Sequence, residues 1–232
     1  MAKRKSDQAE VVETQEVRGV TAPSVPIWER NPKLIMYALG GIAALVIGWL
    51  LYKNLIVGPQ QKEAEVAMWQ AEQLFGKDSF QLALDNPGGG YEGFAALADK
   101  YGSTKAGNVC NYYAALCNLH TGNFDNAIQY MEKFDAVGQV LPAIKYGVLG
   151  DCYSEKQDFS KALGFYEKAA DAAEVDVIAI YYLKKLGMLN EHQGNKEAAI
   201  KAYERIRVDY PNPQVTDWRD IEKYIYRAKA AQ

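Results

Sequence analysis

One uncharged apolar run, Leu34 to Tyr52, sits between Lys33 and Lys53 and is followed by about 180 residues of mixed polarity. As an α-helix these 19 residues rise about 28 Å, close to the roughly 30 Å hydrocarbon core of a bilayer. A helix also pairs its own backbone groups, as lipid requires. Leu55-Ile56-Val57 adds an apolar turn, so the expected anchor is 34–57, with Trp49 and Tyr52 near one end and Tyr37 near the other, where amphipathic rings favour the headgroups. A buried helix of a soluble fold is the competing reading, but so long an uncharged run is rare there. A signal peptide would carry about 7–15 apolar residues ending at a small-x-small site. This run starts after 33 residues and ends Leu-Leu-Tyr-Lys, which predicts a retained single-pass anchor.

Positive charge in short flanks sets orientation. Residues 1–33 carry Lys3, Arg4, Lys5, Arg18, Arg30 and Lys33, whereas the 20 residues from Lys53 carry only Lys53 and Lys62. The asymmetry predicts a cytoplasmic amino terminus at the inner (cytoplasmic) membrane, with the rest outside the cytoplasm, hence periplasmic in a bacterium with two membranes. The tail 1–33, with Pro23, Pro26 and Pro32 and no apolar face, is expected to be disordered.

Of 26 Lys and Arg, six precede the run, and of 29 Asp and Glu, five do. Lys53 to Gln232 therefore holds 20 basic against 24 acidic residues, a formal charge of −4. That mild balance gives no basic stripe for nucleic acid. Cys110, Cys117 and Cys152 form no Cys-x-x-Cys pair, which removes zinc-knuckle and thioredoxin spacings. They read as small buried hydrophobes, with a Cys117 to Cys152 bridge as the alternative in an oxidising compartment.

Three stretches superimpose as helical pairs. The first runs from Asn108 through Ala115, Gly122, Phe124 and Ala127; the second holds Tyr146, Leu149-Gly150, Tyr153, Phe159, Ala162 and Tyr166. The third holds Leu183, Leu186-Gly187, Gly194, Ala199, Tyr203 and Pro211. The turn positions Gly122, Gln157 and Gly194 lie 35 and 37 residues apart. These residues resemble the tetratricopeptide repeat, which implies an all-α fold: a transmembrane helix, then an α-solenoid. The small Ala115, Gly150 and Gly187 are expected to meet Ala127, Ala162 and Ala199. Leu149, Tyr153, Phe159 and Tyr166 then fill the space between pairs, since one repeat cannot bury its apolar face alone. The pattern departs where Asn118 and Asn190 replace a Tyr and where only the third repeat keeps its Pro. Three repeats are assigned to 108–214 and a degenerate one to 60–107, with a helix from about Gln60 to Leu84, a break at Asp85 to Gly90 and a second helix over Tyr91 to Tyr101. A capping helix, Trp218 to Ala230 within 216–232, is expected to start from Thr216 or Asp217.

Gly88 to Gly93 spells Gly-x-Gly-x-x-Gly, but no strand precedes it, so it reads as a loop and not a nucleotide cradle. His120 and His192 fall in different repeats without triad or ligand spacing around them. No catalytic residue, metal, cofactor or small-molecule substrate is assigned. Gly40, Ala44 and Gly48 form a small-residue stripe on the anchor. Such stripes admit another membrane helix, although Gly is also common in membrane helices. First helices of a repeat array line its concave groove, and their register nominates Tyr112, Leu116, Asp151, Tyr181, Lys184 and Met188 as a groove for extended polypeptide. An ordinary wet groove is the other reading. The family's carboxylate clamp is not expected, because Tyr112 and Leu116 stand where its Lys and Asn would.

Tail, anchor and exported divergent repeats together resemble the ancillary SecYEG translocon subunit family, also called YfgM-like. The resemblance implies a periplasmic protein-binding scaffold or chaperone-like factor beside the SecYEG channel, with a membrane-anchored prolyl isomerase and exported clients as partners. The alternative is an assembly factor that docks one folded envelope or secretion-complex partner.

Overall fold

The structure, a computed structural model, describes residues 32–211 and 218–230. The tail 1–31, on which the orientation rests, and the expected capping residues Thr216 and Asp217 lie outside the described residues. The chain divides after Leu50 into two units. In the first, α1 (Pro32–Tyr52) is exposed along its length from Met36. Its apolar stretch belongs to the one helix among the described residues that is long and apolar enough to cross a membrane.

The second unit opens with a π-helical turn, Lys53–Val57, and continues as α2 (Gly58–Phe75), α3 (Phe80–Asp85), α4 (Phe94–Lys100), α5 (Lys105–His120) and α6 (Phe124–Lys133). There follow α7 (Leu141–Glu155), α8 (Phe159–Ala172), α9 (Asp176–His192), α10 (Lys196–Asp209) and α11 (Trp218–Ala230). Each helix packs mainly on its sequence neighbours, α5 with α6, α7 with α8 and α9 with α10, and α11 closes the series on α10.

The turns inside the pairs share one geometry. Gly122, Gln157 and Gly194 have φ of 79°, 59° and 75°. The next backbone N–H reaches five residues back: Asn123 to Asn118 O at 2.8 Å, Asp158 to Tyr153 O at 2.9 Å and Asn195 to Asn190 O at 2.8 Å. A left-handed residue after the helix is what lets the chain cap the last carbonyls, and glycine enters that region without a Cβ penalty. Asp78 repeats it at φ 57°, with Ser79 N to Leu74 O at 2.9 Å. The degenerate unit is therefore paired differently from the sequence reading. The helix expected from Gln60 to Leu84 is interrupted at Gly76 to Ser79, and α2 with the short α3 forms the pair. Ring contacts agree, since Phe80 stacks on His120 at 4.2 Å as Phe159 meets His192 at 5.6 Å, each phenylalanine opening a second helix. The glycine loop is a tight turn between α3 and α4, with Gly88, Gly89 and Gly90 all at positive φ.

At the close crossings the nearest neighbours are aromatic. What the missing side chains of Gly150 and Gly187 admit is a tyrosine ring: a Cβ at Gly150 would lie 2.7 Å from Tyr166 Cδ1, and one at Gly187 2.3 Å from Tyr203 Cε1. Where the first helix carries Ala115, the second carries Met131 in place of the ring, and both are fully buried in one cluster with Ala127. Asn118 and Asn190, which replace the pattern's Tyr, are buried and donate back to Ala114 O at 2.8 Å and Leu186 O at 2.9 Å. The three cysteines are buried free thiols, pushed up to about 12 by burial. Overpacking costs about 1–3 kcal/mol, so Gly187→Ala is expected to lower the thermal midpoint. Gly164→Ala in α8, with nothing within 4 Å of the new Cβ, should instead gain about 0.5–1 kcal/mol. Calorimetry of both variants checks the pair.

Candidate functional site

The six groove residues predicted from register meet different environments. Tyr112 on α5 is half-buried, its ring 5.5 Å from Tyr113 and 5.3 Å from Phe134, and Leu116 packs half-buried against the same core cluster. Lys184 on α9 is half-buried with its ammonium 5.1 Å from the centre of the Tyr224 ring. Tyr181 and Met188, about two turns apart on α9, are 52 % and 48 % exposed. Asp151 on α7 is already engaged: its Oδ1 accepts from the Tyr166 hydroxyl at 2.7 Å and from Lys185 Nζ at 2.6 Å. Gly147, which the register places beside Asp151, is buried under Tyr182.

The Asp151 arrangement recurs one repeat later. Tyr203 donates to Glu191 Oε2 at 2.8 Å, and the Arg227 guanidinium holds both oxygens of the same carboxylate, its Nε 3.1 Å from Oε1. In each case the phenol is the ring that fills the glycine slot, and the cation comes from the next first-type helix, Lys185 on α9 or Arg227 on α11. One carboxylate thus ties three helices and couples successive repeats. Burial pulls the Lys185 ammonium down, but the hydrogen bond and charge of Asp151, with a smaller contribution from Tyr181, together outweigh it and the net shift is upward. Burial pushes the Glu191 carboxyl up, while the hydrogen bonds from Arg227 and Tyr203 win and hold it below its usual value.

These ties set the groove's chemistry. The ammonium of Lys185 also lies 5.2 Å from the centre of the Tyr181 ring, so Asp151, Lys185 and Tyr181 form one partly buried set. A cavity of about 480 Å³ borders it, with His120, Ser154 and Glu155 in its wall. The phenol of Tyr182 is pushed up chiefly by burial, then by Asp151, Tyr181 and Tyr112. Of the six predicted residues Tyr181 is in direct ring contact with Tyr182, at 5.0 Å, and the register did not nominate Tyr182. On α1, Gly40, Ala44 and Gly48 are all exposed, and nothing lies within 4 Å of a Cβ built at either glycine. Among the described residues no group of three His, Cys, Asp or Glu could hold a metal ion.

Residues 146–176 and 183–213 each match a family model described as Tetratricopeptide repeat. The two ranges are the pairs α7–α8 and α9–α10, so the chain carries tetratricopeptide repeats there. The pair from Asn108 shares their turn geometry. No curated protein matches the chain.

Glu191 titrates from an ordinary value unfolded to a lower one folded. Its contribution is therefore complete above about pH 4.5 and is lost as pH falls through the depressed value. Glu191→Gln should cost about 1–2 kcal/mol at pH 7, with the gap to the parent closing in acid. Denaturant midpoints measured from pH 7 down to pH 3 check this.

Proposed function

We propose that this chain is a membrane-anchored scaffold whose tetratricopeptide repeats bind protein partners, holding extended polypeptide along the groove of α5, α7 and α9. The observation that carries it is the character of that groove: an exposed ring at Tyr181, an exposed thioether at Met188 and cations already held at Lys184 and Lys185. Such a surface offers flexible apolar and aromatic contacts without demanding one partner charge. Repeats of this family suggest protein–protein interaction, and neither matched model is catalytic.

The finer reading is a periplasmic position beside the protein-export channel. What supports it is the apolar helix α1 with more Lys and Arg on its amino-terminal flank, together with the layout resemblance to the ancillary SecYEG translocon subunits. On this reading the partners are the translocon, a membrane-anchored prolyl isomerase and exported clients, and the stripe Gly40, Ala44 and Gly48 is the contact with another membrane helix. The tail 1–33 then lies in the cytoplasm.

Tyr181→Ala should weaken binding of a panel of fluorescein-labelled unstructured peptides about fivefold, roughly 1 kcal/mol, and lower the thermal midpoint only slightly, since the ring is half exposed and its loss removes its contacts with Lys185 and Tyr182. Binding of one folded, stoichiometric partner with indifference to every peptide would favour the assembly-factor role instead. Protease added to cells with a permeabilised outer membrane should remove a carboxyl-terminal tag. Protection until the inner membrane is lysed would place the repeats in the cytoplasm and overturn the export role.

A further inference from the structure

Tyr182 is in register with Cys110 and Lys145, positions outside the nominated groove, yet its tip lies over Gly147. A Cβ built there would stand 2.1 Å from its Cε1, Cζ and hydroxyl oxygen. Gly147 shares its register with Tyr112 and Lys184, so the phenol fills a groove position that has no side chain of its own. Tyr182 is only 6 % exposed. Its hydroxyl has no hydrogen-bond partner among the described residues, unlike Tyr166 and Tyr203, whose hydroxyls each donate to a carboxylate. Asp151, whose charge bears on Tyr182, accepts from Tyr166 and from Lys185 at Oδ1 and receives no hydrogen bond from Tyr182. Buried polar groups in native proteins are nearly always paired, and a hydroxyl left without a partner forfeits about 1–3 kcal/mol.

We propose that the Tyr182 hydroxyl is the main-chain anchor of the groove, donating a hydrogen bond to a backbone carbonyl of an extended polypeptide laid across α7 between Tyr112 and Tyr181. This rests on the reading of the groove as a polypeptide site and names what the groove recognises there. An extended chain presents a free carbonyl at every residue, whereas helices and sheets use theirs internally. A phenol in a slot between rings therefore selects unfolded segments without selecting their sequence. Asp151 and Lys185 already neutralise each other, so the slot carries no net charge to hold a charged group and a neutral carbonyl is the fitting acceptor.

The test uses the full-length protein in detergent and a fluorescein-labelled unstructured peptide of mixed Ser, Thr, Val and Tyr, read by anisotropy. Tyr182→Phe keeps the ring over Gly147 and removes only the hydroxyl, so the thermal midpoint should hold or rise while affinity falls about five- to tenfold. A second peptide with backbone esters in place of amides, whose carbonyls accept weakly, should lose affinity for the parent and none for Tyr182→Phe. Equal affinity of parent and variant for the amide peptide would overturn the anchor while leaving the groove reading intact. A midpoint several degrees lower with affinity unchanged would do the same, because the hydroxyl would then serve the fold. If the parent binds neither peptide, the groove reading itself falls, and the anchor with it.

Discussion

No helical pair in this chain can bury its apolar face alone, and the contact that resolves this is a tyrosine ring seated on a glycine of the partner helix. Tyr166 on Gly150 and Tyr203 on Gly187 bring their pairs together. The hydroxyls of the same rings then reach Asp151 and Glu191, and those carboxylates hold Lys185 and Arg227 of the following helices. Packing within a repeat and attachment to the next are thus done by one side chain. A surface ion pair by itself contributes little. These carboxylates are shielded, with Asp151 29 % and Glu191 18 % exposed, and each is fixed by a phenol as well as a cation. In the first of the three pairs Ala115 and Met131 replace the glycine and ring, and the tie to the next pair passes instead through Lys145, whose ammonium donates to Phe134 O at 2.5 Å, and through the Lys156–Asp125 ion pair.

Much of this order was legible in the sequence because it rests on local chemistry. Gly122, Gln157 and Gly194 marked the repeat period, and all three adopt the left-handed backbone that a helix-to-helix turn demands. The break after α2 was missed although Gly76-Lys77-Asp78-Ser79 interrupts the apolar pattern, because the left-handed position is filled by Asp78 and not by a glycine as at Gly122 and Gly194. Gly150 and Gly187 were legible as points of close approach, but not their occupants. A ring four residues beyond the expected alanine becomes the neighbour only once both helices exist.

The candidate groove shows the same division. Register placed Tyr181 and Met188 on an open face, since a helix's period alone fixes that. It could not show that Asp151 is held by Lys185 and Tyr166, or that Tyr182 covers Gly147, because those contacts run between different helices, 15 to 35 residues apart in the chain. A groove of this kind is a product of the ties beneath it. Asp151 is both part of its wall and the link that sets α9 against α7, so the surface offered to a partner depends on the repeats being held in series.

In this protein the first helices of the pairs are proposed to carry extended polypeptide. A photo-crosslinking residue placed at Met188 on α9, or at Val208 on α10, tests it directly with a labelled unstructured peptide and the full-length protein. Both positions are exposed, at 48 % and 69 %, so accessibility alone favours Val208. Covalent capture is expected from position 188 and little from 208; equal capture, or capture chiefly from 208, would mean that polypeptide does not lie on the first helices.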